Sequence, residues 1–353
     1  MSEAKFINIK IENFFENAVL FKKCSNIHIM VNFLGSCHLA SKHIGAGTQY
    51  GKYKEIYFNL KPINDEYAII LTFSGPTMFD IKKPNIKSIT KEAKEILDDL
   101  ISNINLLIEN KSENKEMQVY LDIKGHSRGG IIAENIHKWL SLKSSNLKIK
   151  LNKLIIADPY AGPVNRIIKK RNSNFDYLNK DVKSVPESKI VVYTVAERRF
   201  RDPSKSLNSD VIVFTDVTHD KTKYIAEYIF YENKYNEGVY ICADPMAKLN
   251  KIYIAVNKNP TDKEQDFINK WFSENIKLVG DRNIESILNG RENFKNFAYN
   301  KISSDGRRLL FYSALAKKCD QERVREFLEN SGHKSMWKKV AKTLGLKEKI
   351  KIK

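Results

Sequence analysis

The sequence predicts an α/β fold, a mostly parallel, doubly wound sheet followed by a C-terminal helical region. Three observations carry this expectation. Near-continuous apolar, β-branched runs at 26–34, 67–74, 151–157, 189–196 and 210–216 are separated by helical patterns or long loops. That is the signature of strands buried on both faces. A further strand, beginning at Val119, runs through a glycine-bracketed serine into a helical pattern ending near Leu140. Beyond about residue 222 the pattern changes: a possible strand pair, Gly238–Ala243 and Lys251–Val256, is followed by helical spacing over 261–345.

In chain order, residues 1–25 hold Phe6, Ile9, Phe14 and Phe15 without a clean period and read as an irregular cap. The strand 26–34 runs into the small-residue loop Gly35-Ser36-Cys37-His38. Residues 39–54, with Gly45, Gly47 and Gly51, read as a flexible excursion. The strand 67–74 ends at Gly75-Pro76. Residues 88–110 place Ile89, Ala93, Ile96, Leu97, Leu100, Ile104 and Leu107 at helical spacing, with Ser88 as the expected N-cap.

The next segment is the centre of the chain. Gly125-His126-Ser127-Arg128-Gly129 has the G-x-S-x-G pattern of a nucleophile elbow, with a strand before and a helix after. Glycine is scarce, 15 in 353 residues, yet three fall within Gly125–Gly130. The turn is so tight that larger side chains two positions either side of the serine would strike backbone. The following helix directs its N-terminal N–H groups at the serine.

A serine becomes a nucleophile only when a base removes its proton and a third group orients that base. His219 is the expected base because it follows the last strand of the series, at 210–216. His333, in Ser-Gly-His-Lys, is the reserve base. His126 is expected to point away from Ser127, and His137 and His28 to be structural. Asp158, after the strand that follows the elbow, is the preferred acid. Glu197, after the next strand, is the reserve, and Asp216 is a third option close to His219. The oxyanion hole is expected to combine the Arg128 backbone N–H with one from the Gly35-Ser36 loop.

Several blocks, taken in order, resemble the α/β-hydrolase domain of bacterial type VI secretion lipase effectors. They are Leu34-Gly35-Ser36, Ser74-Gly75-Pro76-Thr77, Gly125 to Gly130, Asp158-Pro159-Tyr160-Ala161-Gly162, Ala196-Glu197-Arg198-Arg199-Phe200 and Val213 to Asp220. The resemblance spans about residues 26–222. Leu34 and Ala196 stand where that family has aspartates, and the last block lacks its glycines. The resemblance implies a secreted effector that hydrolyses an ester, in a phospholipid or another lipid. Its export would use a specialised secretion system without a cleaved signal peptide. The corresponding division is a cap at 1–25, an α/β-hydrolase domain at 26–258 and a helical accessory region with a basic tail at 259–353.

Composition sets the remaining expectations. Apolar residues make up 42% and charged residues 29%, enough apolar material for a real core. No apolar run reaches a membrane-spanning length, and the first residues lack a basic stretch followed by an apolar one. The four cysteines form no C-x-x-C pair, so free thiols and no metal site are expected. No cofactor is expected either. The net charge of +18 comes from lysines spread along the chain, and no recognition motif points to specific nucleic acid binding. Lysines concentrate in 334–353, where eight face the single acid Glu348 and alternate with Trp337, Val340, Ala341, Leu344 and Leu346. That pattern makes an anionic membrane surface an expected partner. A folded but inactive hydrolase scaffold that binds a partner is the alternative to catalysis.

Overall fold

The structure is a computed structural model that describes residues 26–36, 48–50, 56–63, 66–77, 85–109, 118–143, 149–160, 188–194, 211–215, 217–231, 238–242, 276–280, 304–318 and 321–346, with single positions between 263 and 274. The chain divides into two compact units, Met1–Lys189 and Ile190–Lys353.

The first unit contains β1 (Asn26–Phe33), β2 (Thr48–Tyr50), β3 (Ile56–Ile63), β4 (Glu66–Phe73), β5 (Gln118–His126) and β6 (Ile149–Ala157). Their spatial order is β6-β5-β1-β4-β3-β2. Strands β4, β1, β5 and β6 run parallel, and β3 and β2 are added antiparallel. The parallel core and its crossover helices give an α/β fold, as the apolar runs predict. Ile27, Ile29, Val31 and Phe33 alternate along β1 and are fully buried. Phe33 stacks on its register partner Phe73 at 4.8 Å.

The described residues of this unit also form two helices, α1 (Ile86–Glu109) and α2 (Arg128–Lys143). Helix α2 packs against β1, β5 and β6, and α1 packs on α2. The N-cap of α1 is Asn85 rather than Ser88. The Ser88 N–H donates to Asn85 Oδ1 at 2.9 Å, and the Asn85 N–H donates to Ser88 Oγ at 2.9 Å. This reciprocal pairing is a capping box, with Ser88 in the third helical position. The register of β5 against β6 slips between Leu121 and Asp122. There the Asp122 carboxylate accepts from Asn152 Nδ2 at 2.8 Å and from the Lys153 N–H at 3.1 Å, closing the irregularity.

The excursion expected at 39–54 contains β2. Strand β3 was not singled out by patterning, because Pro62 and Lys61 interrupt its apolar alternation. Pro62 is tolerated because β2 pairs only with Ile56–Phe58, so Pro62 lies beyond that pairing.

The second unit holds β8 (Val211–Thr215), parallel both to β7 (Ser188–Thr194), which runs into the unit, and to β9 (Gly238–Cys242). Strand β10 (Ile276–Gly280) pairs antiparallel with β9. It falls inside the stretch 261–345 expected to be helical throughout. A five-residue strand flanked by charged residues has too short a pattern to register against that background. Its described helices include α3 (Thr222–Tyr231), α4 (Ser304–Lys318), α5 (Gln321–Asn330) and α6 (Lys334–Thr343). The last three pack on one another, and α5 also meets β10. Phe214, Phe311, Tyr312 and Phe327 form a continuous aromatic chain with centroid spacings of 5.1, 5.0 and 6.3 Å, linking β8 to α4 and α5.

Both C-terminal helices end in glycine. Gly332 (φ 79) and Gly345 (φ 66) take the left-handed conformation. The His333 N–H donates to the Leu328 carbonyl at 2.7 Å, and the Leu346 N–H to the Ala341 carbonyl at 2.9 Å. These are Schellman closures, which satisfy the last carbonyls of each helix. Met336, Val340 and Ala341 of α6 are buried, while Lys334, Lys338, Lys339 and Lys342 are exposed. No described helix is long and apolar enough to cross a membrane. The expected N-terminal cap at 1–25, the expected strand 251–256 and the tail from Lys347 lie outside the described residues.

Candidate active site

Four loops of the first unit leave the carboxyl ends of parallel strands: 34–36 after β1, 74–77 after β4, the elbow after β5 and 158–160 after β6. This edge is where open parallel sheets bind ligands. The register aligns the ends, since Phe33 pairs with both Phe73 and Gly125, and His126 pairs with Ala157.

Ser127 occupies the turn between β5 and α2 with φ 55 and is buried. For a residue with a Cβ this conformation stores on the order of 1–3 kcal/mol, held only because its surroundings fix it. The fixing groups are visible. The Ser127 N–H donates to the Ala157 carbonyl at 2.8 Å. The Ser127 carbonyl accepts from the Gly130 and Tyr160 N–H groups, each at 3.0 Å. Ser127 is therefore tied both to its own helix and to the loop after β6.

The glycines around it have steric causes. A Cβ on Gly125 would lie 2.4 Å from the Gly129 carbonyl oxygen, and one on Gly129 would lie 2.2 Å from the Phe33 carbonyl oxygen. A Cβ on Gly35 would come within 2.6 Å of His126 Nδ1 and 3.3 Å of Ser127 Cβ. One on Gly75 would sit 1.6 Å from the Gly35 carbonyl oxygen. Three chain segments thus stack backbone to backbone, with a glycine at each contact. Ser36 follows in the same loop and is half-buried.

Asp158 lies immediately after β6, fully buried, with φ 42. Arg128 opens α2. Its side chain is also fully buried and its Nη1 donates to the Thr77 carbonyl. His126 is buried with its ring against Gly35, a position that Ser127 Cβ also borders. Sequence reasoning set this histidine aside as pointing away from the serine, and gave no role to the Arg128 side chain. The pairing of Gly35 with the elbow and the reach of Arg128 to Thr77 involve sequence separations that local patterning does not see.

Within the same unit, α2 buries a polar group of its own. Lys189 Nζ and Glu134 Oε1 form a buried ion pair at 2.9 Å. Nearby His137 is buried, and desolvation pushes its pKa down to about 4, with the Glu134 charge opposing and the Lys189 and Lys138 charges assisting. His137 is therefore uncharged at neutral pH. His28 stacks on Tyr120 at 5.2 Å between neighbouring strands.

In the second unit, His219 begins a short 3-10 turn (His219–Lys221) after β8 and is buried. Three threonines hold this turn. Thr194 Oγ1 donates to the Val217 carbonyl, Thr215 Oγ1 accepts from the Val217 N–H at 3.2 Å, and Thr222 Oγ1 donates to the His219 carbonyl at 2.7 Å. His333 is the N-cap residue of α6, and its backbone closes the turn from α5. Glu197 and Asp216 lie outside the described residues, as do Ala161 and Gly162.

No family model and no curated protein matches the chain. Among solved structures, an uncharacterized protein from Pseudomonas aeruginosa aligns at 11% identity over 96% of this chain, with a TM-score of 0.36. The chain spans 66% of that protein's length, and so slight a likeness bears on neither fold nor function.

Proposed function

We propose that the chain is a serine hydrolase that cleaves esters, of the lipase or phospholipase kind, built on an α/β-hydrolase-like sheet. The observation that carries this reading is Ser127 held at φ 55 between a parallel strand and a helix, with glycine at each backbone contact around it. A turn that stores strain to present one serine is the arrangement nucleophilic catalysis uses. Ser127 attacks the ester carbonyl. His219 takes the serine proton and returns it to the leaving alcohol, then draws a proton from the water that attacks the acyl-Ser127 and gives that proton back to the serine as the acid leaves. Asp158 orients the imidazole, and the Arg128 N–H with the Gly35-Ser36 loop stabilises the oxyanion. Support for His219 is its burial in a threonine-braced turn after a parallel strand. Glu197 and His333 remain the reserve acid and base.

Export as a bacterial effector and contact with an anionic membrane surface belong to the same reading. They rest on the motif blocks and on the lysines of α6 and the tail. No cofactor enters the mechanism.

Labelling with a fluorophosphonate tests the proposal. Wild-type protein is expected to react at Ser127 and the Ser127→Ala variant to remain unlabelled. An inactive scaffold is the second reading, favoured by the departures of the block Val213 to Asp220 from the effector pattern. Folded wild-type protein that takes no label would establish that reading instead.

A further inference from the structure

We propose that the Arg128 side chain is a positioning residue that clamps the loop stack on the oxyanion side of Ser127. This rests on the hydrolase reading for its catalytic consequence, but not for its structural one.

Arg128 immediately follows Ser127, and only its backbone is required by an elbow. Its side chain is nonetheless 1% exposed, the largest of the fully buried side chains among the described residues. A guanidinium has five N–H donors and a permanent charge, so burial at this depth demands acceptors. One of them is the Thr77 carbonyl. Thr77 lies two residues beyond Gly75, which sits directly on the Gly35 carbonyl, and Gly35 borders Ser127 Cβ. The Leu34 N–H donates to the Phe73 carbonyl at 3.1 Å, so the two loops start from a common bond.

The arrangement is closed. Arg128 reaches from the elbow to the 74–77 loop, that loop covers the 34–36 loop, and the 34–36 loop returns to Ser127. A donor offered from Gly35 or Ser36 is held at its distance from Ser127 by this circuit. An oxyanion donor acts in the transition state more than in the ground state, so loosening the circuit lowers kcat while leaving KM nearly unchanged. Lysine keeps the charge and can donate to one carbonyl, but lacks the planar fork.

The test compares Arg128→Lys and Arg128→Met with wild type, using kcat and KM on a short acyl ester and amide exchange of the peptides covering 34–36 and 71–77. We expect Arg128→Met to lose about 10–100-fold in kcat with KM within about threefold. Arg128→Lys should recover part of that loss. Exchange in both peptides should quicken in the order wild type, lysine, methionine. Gly75→Ala, which forces the loops apart from the other side, should reproduce the kcat loss and serves if Arg128→Met does not fold. Folded variants with wild-type kcat and unchanged exchange overturn the proposal. If wild-type protein takes no fluorophosphonate label, the hydrolase reading fails, and the exchange data alone decide the clamp.

Discussion

Ser127 and Asp158 are coupled through the backbone. Each follows directly from the register pair His126 and Ala157 on adjacent parallel strands, and each carries a positive φ. Ala157, immediately before Asp158, and Tyr160, two residues after it, both hydrogen-bond the Ser127 main chain. Ser127→Ala should therefore lose about 10⁴–10⁶ in kcat without lowering the Tm by more than a few degrees, because these bonds survive the substitution. Asp158→Asn should lose on the order of 10³–10⁴. Kinetics with a short acyl ester and thermal melts check both, and retention of full activity by Ser127→Ala ends the nucleophile assignment.

The glycines separate two kinds of cost. Gly129→Ala places a Cβ on the Phe33 carbonyl, so α2 must move from β1, and a loss of about 2–4 kcal/mol is expected. Gly332→Ala and Gly345→Ala meet nothing within 4 Å but must hold φ 79 and 66. Their cost is conformational only, about 1 kcal/mol each. Urea titrations on the three variants should preserve this order.

His219→Ala and His333→Ala should differ sharply. The first is expected to be inactive, and the second to keep near-normal turnover because its backbone already accounts for its place between α5 and α6. Loss of activity in His333→Ala with His219→Ala intact would exchange their roles.

The buried His137 gives a pH signature. Its folded pKa of about 4 lies below the unfolded value near 6.5, so between these values the unfolded chain binds more protons. Its contribution is complete above about pH 6.5 and is lost as pH falls to about 4, amounting to roughly 3 kcal/mol. Burial raises the Asp122 pKa, and that group works in the opposite sense above its ordinary range. Denaturation of wild type and His137→Gln across this window isolates the histidine. Parallel stability curves for the two proteins would refute the assignment.

The lysines of α6 predict how the protein meets anionic lipid. At 100° per residue, Lys334, Lys338, Lys342 and Lys339 fall on one side of the helix, opposite the buried Met336 and Val340. Val340 and Ala341 of the apolar stripe are buried where α6 packs on α4 and α5, so contact with anionic lipid is expected to be by charge, without insertion. Each lysine contributes about 1 kcal/mol at best. Sedimentation with phosphatidylserine vesicles should show binding that weakens with salt and falls in a Lys338→Glu, Lys342→Glu double variant. Equal binding by variant and wild type would remove this face from the mechanism.

What could be read in advance follows the range of the interactions. The elbow was legible because strand, glycines, serine and helix are contiguous. The parallel strands were legible because each carries its own apolar run. Asn85 displaced Ser88 as the cap because both residue types suit either end of a capping box, and only geometry orders them. Gly35 and Gly75 are ordinary loop glycines until their contact, 40 residues apart, is seen. Gly332 and Gly345 carry a recognisable helix-stop signal in the sequence, each just past a run of helical spacing.

The place of β1 between β4 and β5 bears on how the chain is made. Its partners on the two sides are encoded after it, the second not complete until His126. At about 5–20 residues per second, roughly 5–20 seconds separate the synthesis of Phe33 from that of His126. Throughout that interval an apolar strand destined for the centre of the sheet has at least one open edge, the kind of surface that nascent-chain chaperones protect.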